Sequence, residues 1–404
     1  MRDLSPLPGD GYDLCIIGAG ISGLALARMA SGLHLRTLVL ERRDAAGGCL
    51  SSVPFGGSGW LELGAHTCYN SYVRFLEVMA GTDFLDRVTA RRGLGFRMVE
   101  QGALRSIPSC IDFWEAALHL PRLLGAAKAG QSAAAYYSRI LGPKNWARVL
   151  HPALNAVASQ ETAGFPADAL FQTRSRRRKD VARSFAVRGG LGPAVQALAG
   201  LPGVQCVLER EATGLLRTAG GYQVRTRLGE SFQARRVALA VPAPAAAGLL
   251  AEAAPEVARL LGRMETRTVR SLGVVFQDPL AHLPRLAGLI LPEGPCFSAV
   301  SADAFPVAGM RAWTLHCDGA RIEPEAMLDH ACELLSAPRT AVAASYPREH
   351  TLPAIAMGHG DWLRSLDLAL AGSDLMVVGN YLSGLSIEDC AGRARHEFER
   401  VLVA

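Results

Sequence analysis

The chain has 404 residues, 50% of them hydrophobic and 20% charged, with a formal net charge of +5. That length exceeds one compact core and suits two interleaved domains, while the modest charge, without any zinc-finger or RNA-binding signature, gives no reason to expect a nucleic-acid partner. The N-terminal MRDLSPLPGDGYD has no apolar signal core, and no run of about twenty apolar residues is free of charge and proline; the expected location is cytoplasmic, with peripheral contact at the inner face of the membrane left open. Nine cysteines without a CxxC pair argue against a disulfide framework or a structural zinc site, and no metal is expected.

Asp13 to Ile17 (DLCII) predicts a short strand buried on both faces, and Ile21 to Met29 follows a helical pattern. Between them Gly18 permits a tight turn, Gly20 lets the backbone approach phosphates, and Gly23 with Ala27 lets the helix pack closely on the strand. The positive end of that helix, at Ile21 and Ser22, then faces an anion. A second apolar strand, Thr37 to Leu40, ends at Glu41, about twenty residues past the glycines, where a carboxylate accepts both ribose hydroxyls and disfavours a 2′-phosphate. Alone, GxGxxG is a weak signal, but strand, helix and acid in this order predict a dinucleotide site.

From Val73 a helix leads into short strands up to Arg105, and Asp112 to Ala169 is helical in pattern, punctuated by Pro121, Pro143, Pro152 and Pro166. Ser184 to Gly192 (SFAVRGGLG) precedes a helix from Pro193 to Ala199; Val204 to Leu216, a hairpin from Gly221 to Ala234 and the strand Val237 to Val241 follow. Residues 245 to 360 predict a helix and a mostly antiparallel sheet. Asp374 to Gly379 (DLMVVG) is another buried strand, followed by the turn Asn380 to Cys390 and a helix from Ala391 to Leu402. Here again a glycine-containing turn and a helix N-terminus present N–H groups to an anionic partner. The turns at the two ends of the chain must meet in space.

Gly47-Gly48, shortly after Glu41, resembles the second glycine pair of FAD-binding oxidases and desaturases, and Leu61-Glu62-Leu63-Gly64-Ala65-His66 resembles the segment that lies along the flavin in the same enzymes. Asn380 to Cys390 closely resembles the closing flavin motif of protoporphyrinogen oxidases, members of the flavin amine oxidase and phytoene desaturase superfamily. Tyr346-Pro347-Arg348, Leu352-Pro353 and Gly358-His359 recur at that family's spacing. The resemblance covers most of the chain. It implies an α/β fold: a Rossmann-type, GR2-like FAD-binding domain (residues 1–75, 185–245 and 361–404), a discontinuous α+β substrate domain (76–105 and 246–360) and a helical subdomain (106–184). It implies FAD held by Gly18, Gly20, Ile21, Ser22, Gly23, Glu41, Arg42, Gly47, Gly48, Cys49, Gly64, Ala65, His66, Ala212, Gly379, Asn380, Leu385, Ser386 and Ile387. In that arrangement Ala212 lies near the adenine, Val241 to Pro244 near the isoalloxazine, and the C-terminal turn meets either the pyrophosphate or the flavin pyrimidine edge.

Enzymes of this kind pass a hydride to the flavin and electrons onward to oxygen or another acceptor, and the protein's task is to position the substrate and exclude water. His66 and Asp112 are the catalytic candidates; His359 reads as a side chain bonding the loop before the last domain crossing. Asp112 has two readings. It stands, on a loose alignment, where protoporphyrinogen oxidases often carry an arginine for a substrate propionate, so a carboxylate there favours a neutral or cationic substrate; or it caps the helix that begins at Phe113. Cys49 replaces the arginine that relatives place after the second glycine pair, so phosphate affinity must come from elsewhere, with Arg42 or Arg43 nearest. No lysine follows Lys179, so the lysine that many amine oxidases set beside the flavin is absent.

Arg174 to Lys179 (RSRRRK) reads as a solvated loop, or as a contact for anionic lipid or an acidic substrate. Phe113-Trp114, Tyr136-Tyr137 and Trp146 read first as core residues at helical spacing, and second as an entrance to an apolar pocket. The implied function is a protoporphyrinogen oxidase-like enzyme that removes hydride from a bulky apolar, cyclic or heteroaromatic small molecule, as a monomer or homodimer. The alternatives are a phytoene-desaturase-like or amine-oxidising enzyme, and a non-catalytic FAD-binding scaffold.

Overall fold

The computed structural model describes residues 11–91, 93–170, 172–278 and 280–403. Its first sheet has seven strands, in the order Val204–Val207, Thr37–Leu40, Tyr12–Ile17, Ser231–Leu239, Gly221–Thr226 and Ala212–Thr218, with Leu375–Val377 also paired to Ser231–Leu239. Five of these strands run parallel, and the hairpin adds two antiparallel ones. Parallel strands covered on both faces must be apolar on both, and DLCII, TLVL and LMV are buried throughout.

One face of this sheet carries the helices Ile21–Gly32 and Ile387–Phe398, packed with Leu14, Ile16, Val39, Met376 and Val378. The other carries Ala243–Leu250, Pro255–Leu261 and His359–Leu370, packed on Cys15, Ile17, Leu38, Leu239 and Val377. The side chains of successive strand residues alternate between the two layers, as a doubly wound sheet requires.

The second sheet runs Val342–Pro353, Thr266–Phe276, Arg311–Asp318, Cys296–Ser301, Gly288–Ile290, Phe96–Glu100 and Ala103–Ser106. Leu272, Val274, Phe276, Trp313, Leu315 and Cys317 lie on one face beneath the helix Pro324–Leu334. The opposite face carries a polar row beside a small apolar cluster of Val275, Ala312 and Tyr346 packed on Phe55 and Leu61. Register places Arg348 opposite Ser271, Ser271 opposite His316 and His316 opposite Ser298, a single row across four strands. Against the expectation for the cysteines, Cys296 and Cys317 form one disulfide between neighbouring strands. Their separation of 21 residues carried no sign of it; antiparallel register alone sets them opposite each other.

Residues 113–158 form short helices over a small core of Tyr136, Tyr137, Ile140, Trp146 and Leu154. The core reading holds for Tyr136, Tyr137 and Trp146 but fails for Phe113 and Trp114, which are 66% and 84% exposed. Their helix, Phe113–His119, buries none of its residues and is held by polar contacts: Asp112 caps it, Glu115 accepts from Lys144 and Asn145 N–H, and His119 Nδ1 bonds Arg139 O at 3.0 Å.

Candidate functional site

The first glycine turn is fixed by close packing. Gly18 has φ +104°, and a Cβ there would lie 2.5 Å from Ala240 O; one at Gly23 would lie 2.1 Å from Gly18 O. At Gly20 the nearest heavy atom to such a Cβ is Gly48 Cα at 4.0 Å, so no protein group demands glycine there. Gly47 N–H donates to Ala19 O at 2.8 Å, which brings the second glycine pair against the first. The helix at Ile21 begins with no side-chain cap and no acidic residue in its first turn. Its first N–H groups therefore have no side-chain partner, and Gly20 and Gly48, packed against each other, leave a notch bare of side chains beside them, which suits a diphosphate.

Glu41 is buried, and its carboxylate accepts from Ala19 N–H at 2.8 Å and Arg43 N–H at 3.0 Å, each oxygen keeping capacity for a further donor. The segment leading to Ala212 runs beside it, since Arg210 N–H donates to Glu41 O. Arg42 is exposed, whereas Arg43 turns inward to Gly48 O at 3.4 Å and Glu349 O at 3.3 Å. Cys49 is exposed, and Val241 lies against the Gly18 turn.

The C-terminal turn does meet the first. The helices that follow the two turns, Ile21–Gly32 and Ile387–Phe398, pack side by side through Leu24, Ala27, Ala391 and Ala394. Gly379, Asn380 and Leu385 are half-buried. The helix starts at Ile387 rather than Ala391, because Ser386 and Asp389 close a capping box: Ser386 Oγ accepts from Asp389 N–H at 3.1 Å, and Asp389 Oδ2 accepts from Ser386 N–H at 3.3 Å. Arg174 pairs with Asp389 at 2.8 Å and lies over the Tyr72 ring, so this member of the basic run is a packed clasp and not a solvated side chain. Glu388 accepts from Arg74 and Phe75 N–H, both at 3.0 Å. This helix end thus supplies its own anions, unlike the one at Ile21.

Gly64, Ala65 and His66 lie between the glycine turns and the polar row of the second sheet. A Cβ at Gly64 would sit 2.0 Å from Cys49 O. Thr314 Oγ1 donates to Glu62 O at 2.9 Å, and His350 Nε2 bonds Leu63 O at 3.0 Å. His66 stacks on His316, ring centroids 6.1 Å apart, and His316 Nδ1 is 2.9 Å from Ser271 Oγ. Burial, and then the Arg91 charge, lower the His66 pKa to about 4; burial and the neighbouring imidazoles lower His316 to about 3. Both rings are neutral near pH 7. Burial raises Glu62 to about 7, partly offset by hydrogen bonds from Ser52 Oγ and Leu191 N–H. Arg91 donates to His66 O at 3.0 Å.

Asp112 caps the helix that follows it, the second of its two readings: its Oδ1 accepts from Glu115 N–H at 3.0 Å. His359 bonds Leu382 O at 3.1 Å and stacks on Trp362, the structural role read from its position. Ser271, His316 and His350 went unnoticed in the sequence, and Arg348 was noticed only within the Tyr346-Pro347-Arg348 motif, without a role of its own. The one available signal was alternation of polar residues in strands whose other face is apolar.

Residues 21–353 match the family described as flavin containing amine oxidoreductase. The chain belongs to this family. It is therefore an oxidoreductase, and membership implies a flavin. Coproporphyrinogen III oxidase of Mycobacterium tuberculosis (strain ATCC 25618 / H37Rv) is 25% identical over 460 aligned positions, covering 96% of this chain and 97% of that protein. 15-cis-Phytoene desaturase of Narcissus pseudonarcissus is 27% identical over 84 residues, 21% of this chain and only 15% of the desaturase. Among solved structures, a protein described as a protoporphyrinogen oxidase from Exiguobacterium sp. 255-15 superposes with TM-score 0.78 at 17% identity, covering 96% of this chain and 97% of that one. UDP-galactopyranose mutase superposes with TM-score 0.74 at 16% identity, covering 97% of this chain and 96% of its own. These structural likenesses establish the fold, a flavin-binding Rossmann-type unit with a second domain. Among the described residues no helix is long and apolar enough to cross a membrane.

Proposed function

We propose that this flavin amine oxidoreductase uses FAD to remove hydride from a bulky cyclic or heteroaromatic molecule, forming a C=C or C=N bond, with oxygen or another acceptor taking the electrons. FAD is supported over a mononucleotide by the paired features of the cradle: a notch at Gly20 and Gly48 for a diphosphate, and the buried Glu41 carboxylate beside it for a ribose. When bound, the flavin supplies the hydride acceptor. Gly18, Gly20, Ile21, Ser22, Gly23, Gly47 and Gly48 hold the diphosphate, and Ala212 borders the adenine. At the C-terminal turn, Ile387 and Glu388 N–H groups remain outside the capping box. An end already carrying Glu388 and Asp389 repels phosphate, which favours the uncharged pyrimidine edge of the flavin as its partner.

The observation that carries the substrate reading is the row of polar side chains aimed at Gly64 to His66. Ser298 Oγ and His350 Nδ1 are buried without a hydrogen-bond partner. These atoms are closed off from solvent, so they mark the face as polar without touching a substrate; such a face is a poorer wall for a hydrocarbon than for a ring that carries heteroatoms. This favours a heterocycle over a polyene, as does the alignment along nearly all of the coproporphyrinogen III oxidase. His66 is the side chain placed to meet the substrate, with His316 and Ser271 holding it from behind.

Anaerobic mixing of the purified protein with a porphyrinogen, a pyrroline and a polyene tests this directly. Bleaching of the flavin band by a heterocycle is expected. Bleaching by the polyene alone favours the desaturase reading, and no bleaching by any favours the non-catalytic scaffold.

A further inference from the structure

We infer that Arg348, carried in from the second sheet, closes the diphosphate site together with Arg43 and does the work of the arginine that relatives place at position 49. This rests on the FAD reading above.

Arg43 spans from Gly48 O to Glu349 O, so the second glycine pair and the strand Val342–Pro353 meet across a single side chain. Arg348 is the next residue of that strand. His350, two residues on and therefore on the same face, bonds Leu63 O, and its ring lies 3.7 Å from where a Cβ of Gly64 would be. Gly64 is itself packed on Cys49 O. The face that carries Arg348 thus looks onto the Gly48-Cys49 turn.

Arg348 Nε is buried with no partner, and among the described residues the side chain makes no ion pair. Glu349 pairs with Arg270 at 3.4 Å, and Glu41, whose charge lies near Arg348 with that of Asp44, takes backbone N–H groups of Ala19 and Arg43 without pairing with the guanidinium. Asp44 is exposed. Burial, and then the Arg43 charge, lower the Arg348 pKa from its ordinary value. Two guanidiniums crowd one half-buried place, and among the described residues neither makes an ion pair. A diphosphate satisfies both forks, and the second sheet is thereby latched to the cofactor.

The test titrates full-length protein, stripped of flavin, with FAD and with riboflavin, which lacks phosphate. In Arg348→Gln the FAD affinity should fall about tenfold or more, the size of one charge-assisted contact, while riboflavin affinity stays as it was. Adding Cys49→Arg to that variant should restore most of the loss. Equal FAD affinity in Arg348→Gln and the unaltered chain overturns the inference, as do equal losses for FAD and riboflavin. Cys49→Arg alone gives a second reading that does not depend on Arg348→Gln folding. A gain in FAD affinity below about threefold fits a site already supplied with charge, and a tenfold gain overturns the clamp. A chain that binds neither ligand sinks the FAD reading itself, whereas an unchanged Arg348→Gln sinks the clamp alone.

Discussion

The two ends of the chain carry the same strand, glycine turn and helix, yet the helix starts differ in kind. At Ile21 the first turn is uncapped and free of acid; at Ile387 it is closed by Ser386 and Asp389 and ringed by Glu388 and Arg174. The first leaves its N–H groups open to a negative ligand, the role proposed for it, and the second has already been neutralised from within. A helix N-terminus is thus an anion site only when its own side chains leave it open.

The largest effect expected from this contrast is steric. Gly23→Ala puts a methyl 2.1 Å from Gly18 O and should cost about 3 kcal/mol or more in urea unfolding. Its counterpart Gly392, inside the C-terminal helix, has nothing within 4 Å, so Gly392→Ala should stabilise by about 0.5–1 kcal/mol. Equal losses at both positions would erase the distinction between a packed turn and an ordinary helix.

The stacked imidazoles between the glycine turns and the second sheet are probed by pH. His66 and His316 hold pKa values of about 4 and about 3 when folded, below the unfolded imidazole range. Below about pH 6.5 the unfolded chain takes up protons that the folded chain refuses, so stability should fall toward pH 4 by about 1.4 kcal/mol per pH unit for each ring. His316→Asn should remove about half of that slope, read from urea midpoints at a series of pH values. A slope unchanged by the substitution shows that the rings are not buried as a pair.

Ser386→Ala should cost about 1 kcal/mol, the worth of a cap, and leave FAD affinity unchanged. Gly20→Ala should do the reverse: stability of the flavin-free protein within about 0.5 kcal/mol, since the new methyl meets only Gly48 Cα at 4.0 Å, but FAD binding weakened about tenfold as the methyl fills the notch. Thermal melts with and without FAD read both. If Ser386→Ala weakens FAD and Gly20→Ala does not, the assignment of the two ends is inverted.

Much of the first strand–turn–helix unit was legible in the residues alone, because such a unit is built from backbone and needs glycines, a buried strand and an acid at fixed local spacings. DLCII, Gly18 to Gly23, Glu41 and the second glycine pair all fall within one short stretch, and each constrains its neighbours. The cap at Ser386 was equally local, with Asp389 three residues on, yet the resemblance to a flavin motif drew attention to the turn and away from the acid that closes it. The exposed Phe113 and Trp114 show the limit of helical spacing, which identifies an apolar stripe but not whether anything covers it.

The sequence by itself determined that two dinucleotide-type turns exist, that Glu41 follows the first, and that no lysine is available in the later strands. Tertiary structure alone decided which helix end stays open and which side chains face the flavin segment. Ser271, Ser298, His316 and Arg348 come from four strands and meet only through sheet register, and Cys296 finds Cys317 the same way. Local spacing encodes backbone conformation; a contact between distant strands depends on how the chain closes over itself, and no short stretch of residues contains that information.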